Sequence, residues 1–171
     1  MGKVADIEQV AAALSLAPAE IVTQTHPPRV ADVGFPFLLV EVTDTHVLAR
    51  SRYNVEAIER LNRMGLAPDI LVYSRTSGEV DIQARMFAPL DGIPEDPATG
   101  SANCALVALL THCDARRSGE FNWRIAQGIE MGRPSLMEAR TQKHEGEVTA
   151  TFIAGHCIMV TEGFIKSGDS E

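Results

Sequence analysis

Arg85-Met-Phe-Ala-Pro-Leu-Asp-Gly-Ile-Pro-Glu-Asp-Pro-Ala-Thr-Gly-Ser-Ala-Asn-Cys-Ala-Leu-Val-Ala-Leu-Leu110 is the stretch on which the fold turns. A strand is predicted to end near Phe87, and a loop rich in Pro and Gly follows. Gly100 and Ser101 then open an uncharged, apolar run from Ala102 to Leu110. A surface helix keeps a polar face, whereas one that is apolar all round has to be buried. The stretch therefore predicts a central helix, running to about Cys113 and wrapped by other elements, with an acidic small-residue loop at its head. Free N–H groups and the helix dipole make such a head an anion site.

Working outward, Val80–Phe87 reads as the antiparallel partner of a strand at Asp69–Arg75, across a turn at Thr76–Glu79. Phe35–Val42 reads as a strand buried on both faces. Two amphipathic helices are expected, Asp6–Leu14 capped by Asp6 and Asn54–Met64 capped by Asn54 and ended by Gly65. Pro18–Ile21 reads as a further turn, Val22–Thr25 as a strand, Arg29–Asp32 as a connector and Val47–Ala49 as a short strand or turn. Beyond Gly119, Phe121–Gln127 alternates as a strand. Leu136–Thr141, Glu147–Ile153 and His156–Thr161 read as a closing antiparallel meander, and 163–171 as a polar, fraying tail. The expected fold class is α+β, a curved, mostly antiparallel sheet or barrel around a buried helix, in a single domain over 1–171.

Composition sets the outer limits. With 15 Lys and Arg against 23 Asp and Glu, the net charge is −8. That disfavours nucleic-acid binding, which needs clustered basic side chains. Cys104, Cys113 and Cys157 form neither a zinc spacing nor a disulfide framework. No apolar run approaches the ~20 residues of a membrane helix. These features predict a soluble, cytoplasmic protein with no membrane and no metal.

Three segments carry a resemblance. Arg85-Met-Phe-Ala-Pro, Glu95-Asp96-Pro97-Ala98-Thr99-Gly100-Ser101-Ala102 and Gln127-Gly128-Ile-Glu-Met-Gly132-Arg133-Pro134-Ser135 resemble the phenazine-biosynthesis PhzF-like family, and Phe35–Val42 looks like a further family segment. The resemblance implies a diaminopimelate epimerase-like fold of two lobes, each a barrel-like sheet around a central helix, with the active site between them. It covers the second lobe only. The first lobe's Gly-Asn-Pro segment beside its catalytic glutamate is not found in these residues. The chain is accordingly expected to be a fragment or a single-lobe protein.

The resemblance implies an isomerase or epimerase that shifts a proton on a small carboxylate-bearing substrate by acid/base chemistry, without cofactor. Asp96 and Ser101 are the catalytic candidates. The resemblance makes Asp96 a substrate-facing carboxylate, here read as an orienting group, the principal base being the other lobe's glutamate. The bland alternative is an anion stabilised by the helix dipole. Thr99, Gly100 and Ser101 read as a carboxylate cradle, alongside plain N-capping. For Gln127 and Gly128, with Gly132 and Arg133, two readings stand: a substrate-binding segment near the helix head, or a tight turn with an exposed Arg. Arg85 is a pocket-floor residue or a buried partner for Asp96. Glu95 reads as structural or solvated, Cys104 as core, Trp123 as packed on the central helix, and the five histidines as structural or solvated. The competing function is a non-catalytic module that acts through a homodimer or a separate N-terminal lobe, which would cover an exposed apolar face.

Overall fold

A computed structural model describes residues 2–165. The first helix, α1 (Ile7–Leu14), is capped by Asp6, whose Oδ1 accepts the Gln9 N–H at 3.1 Å. A 3-10 turn at Pro18–Glu20 leads to β1 (Ile21–Val22), β2 (Arg29–Asp32) and β3 (Pro36–Val42). Helices α2 (Thr45–Arg50) and α3 (Val55–Arg63) cross over to β4 (Ile70–Arg75), which runs parallel to β3. Then come β5 (Ile82–Ala88), β6 (Ile93–Asp96) and the long helix α4 (Gly100–Cys113). The meander β7 (Gly119–Gln127), β8 (Ser135–His144) and β9 (Glu147–Gly155) completes the sheet.

The sheet runs β1-β3-β4-β5-β7-β8-β9, with β2 also on β3 and β6 on β5. Two pairs are parallel, β3 with β4 and β5 with β7; the others are antiparallel. Each parallel pair spans a crossover that contains a helix, as parallel neighbours require. Strand β3 shows why the predicted two-sided burial holds. Its Leu38, Val40 and Val42 join a core with α1, α2 and α3, while Phe37 and Leu39 join a second core with α4. Because successive side chains point to opposite faces, one strand feeds both.

Helix α4 is the centre of the second core. Ala102, Asn103 and every residue from Ala105 to Thr111 are buried. It packs on β3, β7 and β8, and also on β2 and β9 from opposite ends of the sheet, so the sheet curls round it. This is the expected α+β architecture, an open mixed sheet around a buried helix.

Several local expectations change. Arg29–Asp32 is a strand, not a connector: it pairs with β3 from Arg29↔Leu39 to Asp32↔Pro36, closed by a turn in which Gly34 adopts φ 120°. Residues Thr45–Arg50 form a helix, because Asp44 Oδ1 accepts from the N–H groups of His46 and Val47. Ile93–Asp96 adds a strand inside the predicted loop. The strand expected at Val22–Thr25 shrinks to Ile21–Val22. His156–Thr161 forms no strand, and Ile158 is 87% exposed: the apolar pattern is there but no neighbouring strand is. Of the expected tail, 166–171 lie outside the described residues. No helix among the described residues is long and apolar enough to cross a membrane.

Candidate functional site

The site forms where β6 runs into α4. Thr99 is the N-cap residue of α4, yet its side chain makes no capping bond. Its hydroxyl turns instead to Asp96 and donates to Oδ2 at 2.5 Å. The first backbone bond of the helix is Asn103 N–H to Thr99 O, at 3.1 Å. The N–H groups of Gly100, Ser101 and Ala102 therefore project from the helix end, and among the described residues no side chain accepts from them. Ser101 is exposed beside them, and Asp96 is half-buried with Oδ1 not engaged by any described side chain.

Gln127 holds this loop in place. Its fully buried amide accepts from Thr99 N–H (3.3 Å) and Asn103 Nδ2 (2.7 Å), and its Nε2 donates to Asp96 O (2.6 Å) and Thr99 Oγ1 (3.0 Å). Both polar atoms of Gln127 are thus spent on the loop. Gly128 is needed by contact as well as by conformation. It sits at φ 78°, and a Cβ there would lie 2.4 Å from Arg133 O and 2.9 Å from Pro97 O. The segment beyond it is the tight turn of the second reading: Arg133 N–H bonds Gly128 O at 3.0 Å, and Arg133 is exposed. Gly100 differs. A Cβ there would meet only Ile153 at 3.5 Å, an ordinary contact, so internal packing does not demand glycine.

The structure therefore gathers Asp96, Thr99, Gly100, Ser101, Gln127 and Gly128 at one end of α4. It adds Asn103, which the sequence reading passed over. Asn103 is fully buried, and its Nδ2 also donates to Thr99 O at 2.8 Å. The signal was present, since Asn103 is the one amide side chain in the apolar run 102–110.

Arg85 is the second anchor, and its partner is Glu95, not Asp96. Its Nε and Nη2 grip the Glu95 carboxylate at 2.8 and 2.9 Å. Its Nη1 donates to the carbonyls of Leu48, Ala49 and Ser51 at the end of α2, at 3.1, 3.1 and 2.9 Å. Glu130 lies 3.9 Å from Nε and takes Gln83 Nε2 on its other oxygen at 2.8 Å. A bidentate guanidinium matches this planar geometry in a way an ammonium cannot. Arg85 thus ties β6 and the 128–134 turn to α2. Glu95, expected as structural or solvated, is structural. Cys104 is half-buried, and burial pushes its thiol pKa up, in keeping with a core role. Trp123 packs beside the α4 core as expected.

The family model described as Phenazine biosynthesis-like protein (PhzC-PhzF) matches residues 3–163. An uncharacterized isomerase of Mesorhizobium japonicum is 32% identical over 164 residues, 93% of this chain and 54% of the relative. A trans-2,3-dihydro-3-hydroxyanthranilate isomerase of Pseudomonas chlororaphis is 37% identical over 87 residues, 48% of this chain and 30% of the relative. The chain spans about half the length, or less, of the curated relatives it matches. A phenazine biosynthesis protein of the PhzF family from Bacillus anthracis has a similar fold, with a TM-score of 0.71 at 20% identity, over 90% of this chain and 56% of that one.

Proposed function

The chain belongs to the phenazine biosynthesis-like protein family, and from that premise we propose that it supplies one side of the active site of an isomerase that moves a proton on a small carboxylate-bearing substrate without a cofactor. The observation that carries the reading is the turned hydroxyl of Thr99, which leaves α4 uncapped and fastens Asp96 beside its free N–H groups. The substrate carboxylate is taken by the N–H groups at Gly100–Ala102 and the Ser101 hydroxyl, where the helix dipole favours negative charge. The room left at Gly100 suits that close backbone approach. Asp96 then orients an amino or hydroxyl substituent through Oδ1. Gln127, Gly128 and Asn103 act behind it by holding the loop, since binding geometry must be kept tightly for proton transfer.

A cyclic amino- or hydroxy-carboxylate is the favoured substrate class, as in the reaction named for the Pseudomonas relatives. The proton-abstracting base is assigned to a second lobe, in line with the family's two-lobed architecture, so this chain alone is expected to turn over little or no substrate. Titration of the isotope-labelled chain with 2-aminobenzoate tests the binding half. The amide signals of Gly100, Ser101 and Ala102 are expected to move, and Asp96→Asn is expected to weaken binding. Absence of movement up to millimolar ligand would overturn the anion site. Robust proton exchange of a cyclic amino acid-like substrate by the pure chain would overturn the need for a second lobe.

A further inference from the structure

His26 lies between β1 and β2, away from the site, and is only 3% exposed. Its Nδ1 is 2.8 Å from the Pro27 carbonyl oxygen, and its Nε2 is 2.7 Å from the Tyr73 hydroxyl. The same hydroxyl is 2.9 Å from Glu41 Oε2. Glu41 Oε1 takes Arg75 Nε at 3.0 Å, and Arg75 Nη2 reaches Thr25 Oγ1 at 3.3 Å. The chain of contacts thus links the 25–27 segment to β3 and β4.

A carbonyl oxygen only accepts, so Nδ1 must carry a hydrogen. Tyr73 has one hydrogen for two neighbours. If it donates to Glu41, Nε2 must also be protonated and His26 is an imidazolium. If it donates to Nε2, then the Tyr73 oxygen and Glu41 Oε2 stand 2.9 Å apart with no hydrogen between them. The three contacts close together only with one proton more than a neutral imidazole, a phenol and a carboxylate hold.

We propose that His26, Tyr73 and Glu41 form a proton-operated latch, in which one bound proton completes the chain from Pro27 to Glu41 and clasps the 25–28 segment to the sheet. Loss of that proton leaves two acceptors facing one phenolic hydrogen and loosens the clasp. The surroundings set where this happens. Burial pulls the His26 pKa below its ordinary value, against the upward pull of the Pro27 carbonyl and Glu41. Arg29 from β2 and Arg75 from β4 pull it further down. Cys113 at the end of α4 lies within charge range of Tyr73, and Lys143 from β8 within charge range of Cys113. The latch therefore fills on the acid side of neutrality. The clasped segment leads directly into β2; Asp32 and the adjoining Val33 form one lip of an open groove of about 570 Å³ whose other lip is β9. A looser clasp would be felt at that seam.

An imidazole nitrogen NMR titration of the whole chain tests the latch, with hydrogen-exchange protection of Ala5, whose N–H donates to Pro28 O at 2.9 Å, followed over the same pH range. In the wild type, His26 is expected to pass to a form with both nitrogens protonated as pH falls, and protection to rise with it. In Glu41→Gln the new amide donates to the Tyr73 oxygen, the Tyr73 hydroxyl donates to Nε2, and the chain closes around neutral His26. The His26 transition should then drop by at least about one pH unit, a tenfold weaker proton affinity, and the pH dependence of protection should vanish. Tyr73→Phe removes the bridge while keeping the ring. It should lower the transition as well, which keeps the test decisive if the Glu41 variant does not fold. An unchanged His26 transition in a folded variant, or pH-independent protection in the wild type, would overturn the latch.

Discussion

The two ends of α4 are built oppositely. At the C-terminal end, Lys143 is buried and its Nζ donates to the carbonyls of Thr111, His112 and Asp114 at 2.9, 3.2 and 2.8 Å. Thr111 and Thr141 share a hydrogen bond beside it. One cation thus satisfies two of the orphan carbonyls that the helix leaves and that of the cap residue Asp114, which also suits the negative end of the dipole. At the N-terminal end the available hydroxyl of Thr99 is diverted to Asp96, and a buried amide network holds it there. One end is closed for stability; the other keeps its donors unspent. A fold seeking stability alone would cap both ends, since a side-chain N-cap contributes about 0.5–2 kcal/mol.

Breaking each end in turn should separate stability from binding. The largest effect is expected from Arg85→Met, which leaves the half-buried Glu95 and Glu130 carboxylates without their guanidinium. Removing one partner of such a pair costs about 3–5 kcal/mol, to be read as a lower urea midpoint, together with loss of the 2-aminobenzoate response. Lys143→Met should cost about 2–4 kcal/mol, because three carbonyls lose a charged donor. In the folded variant, ligand shifts at Gly100–Ala102 should stay as in the wild type. If they fall as far as in the Arg85 variant, the two ends are not independent. Gln127→Leu should cost about 1–3 kcal/mol in stability and abolish the ligand response, since Asp96 O, Thr99 and Asn103 all lose their partner.

The smallest effect is a gain. Asp69 lies one residue beyond the Ile70–Phe87 pair, with Oδ1 buried and without a partner among the described residues. Burial, helped by the nearby Asp91, raises its pKa from 3.8 to about 6. The folded state therefore prefers the protonated acid, and stability is lost as pH rises from the ordinary value through about 6. Asp69→Asn should raise Tm above pH 6, and the gain should shrink as pH falls toward 4. A gain that grows in acid would contradict the assignment.

The readings that hold rest on local chemistry. Asp6 and Asn54 cap their helices as expected, the latter through Oδ1 to Ala57 N–H at 3.1 Å. The loop ahead of α4 lies where it was expected, because Gly and Ser followed by an apolar run mark the start of a buried helix. What escaped notice depends on partners far apart in the chain. Gln127 lies 31 residues from Asp96, and its role is set by contacts that no spacing displays. Arg85 was expected near a carboxylate, but register decided which one: Met86 pairs with Asp96, and the guanidinium meets Glu95. His26 had no catalytic spacing, and its network runs through Glu41 and Tyr73 on two different strands.

Strand partnership divides the two kinds of information most clearly. Periodicity and caps were enough to establish a buried central helix with a small-residue loop at its head and a strand shared by two cores, because each is encoded in a short run of consecutive residues. Whether a short segment becomes a strand was decided by its neighbours. Arg29–Asp32 pairs with β3 although its own pattern is poor, while the apolar 158–160 segment stays exposed although its pattern is good. Backbone N–H and C=O groups need partners in space, and only the tertiary structure says where those partners are.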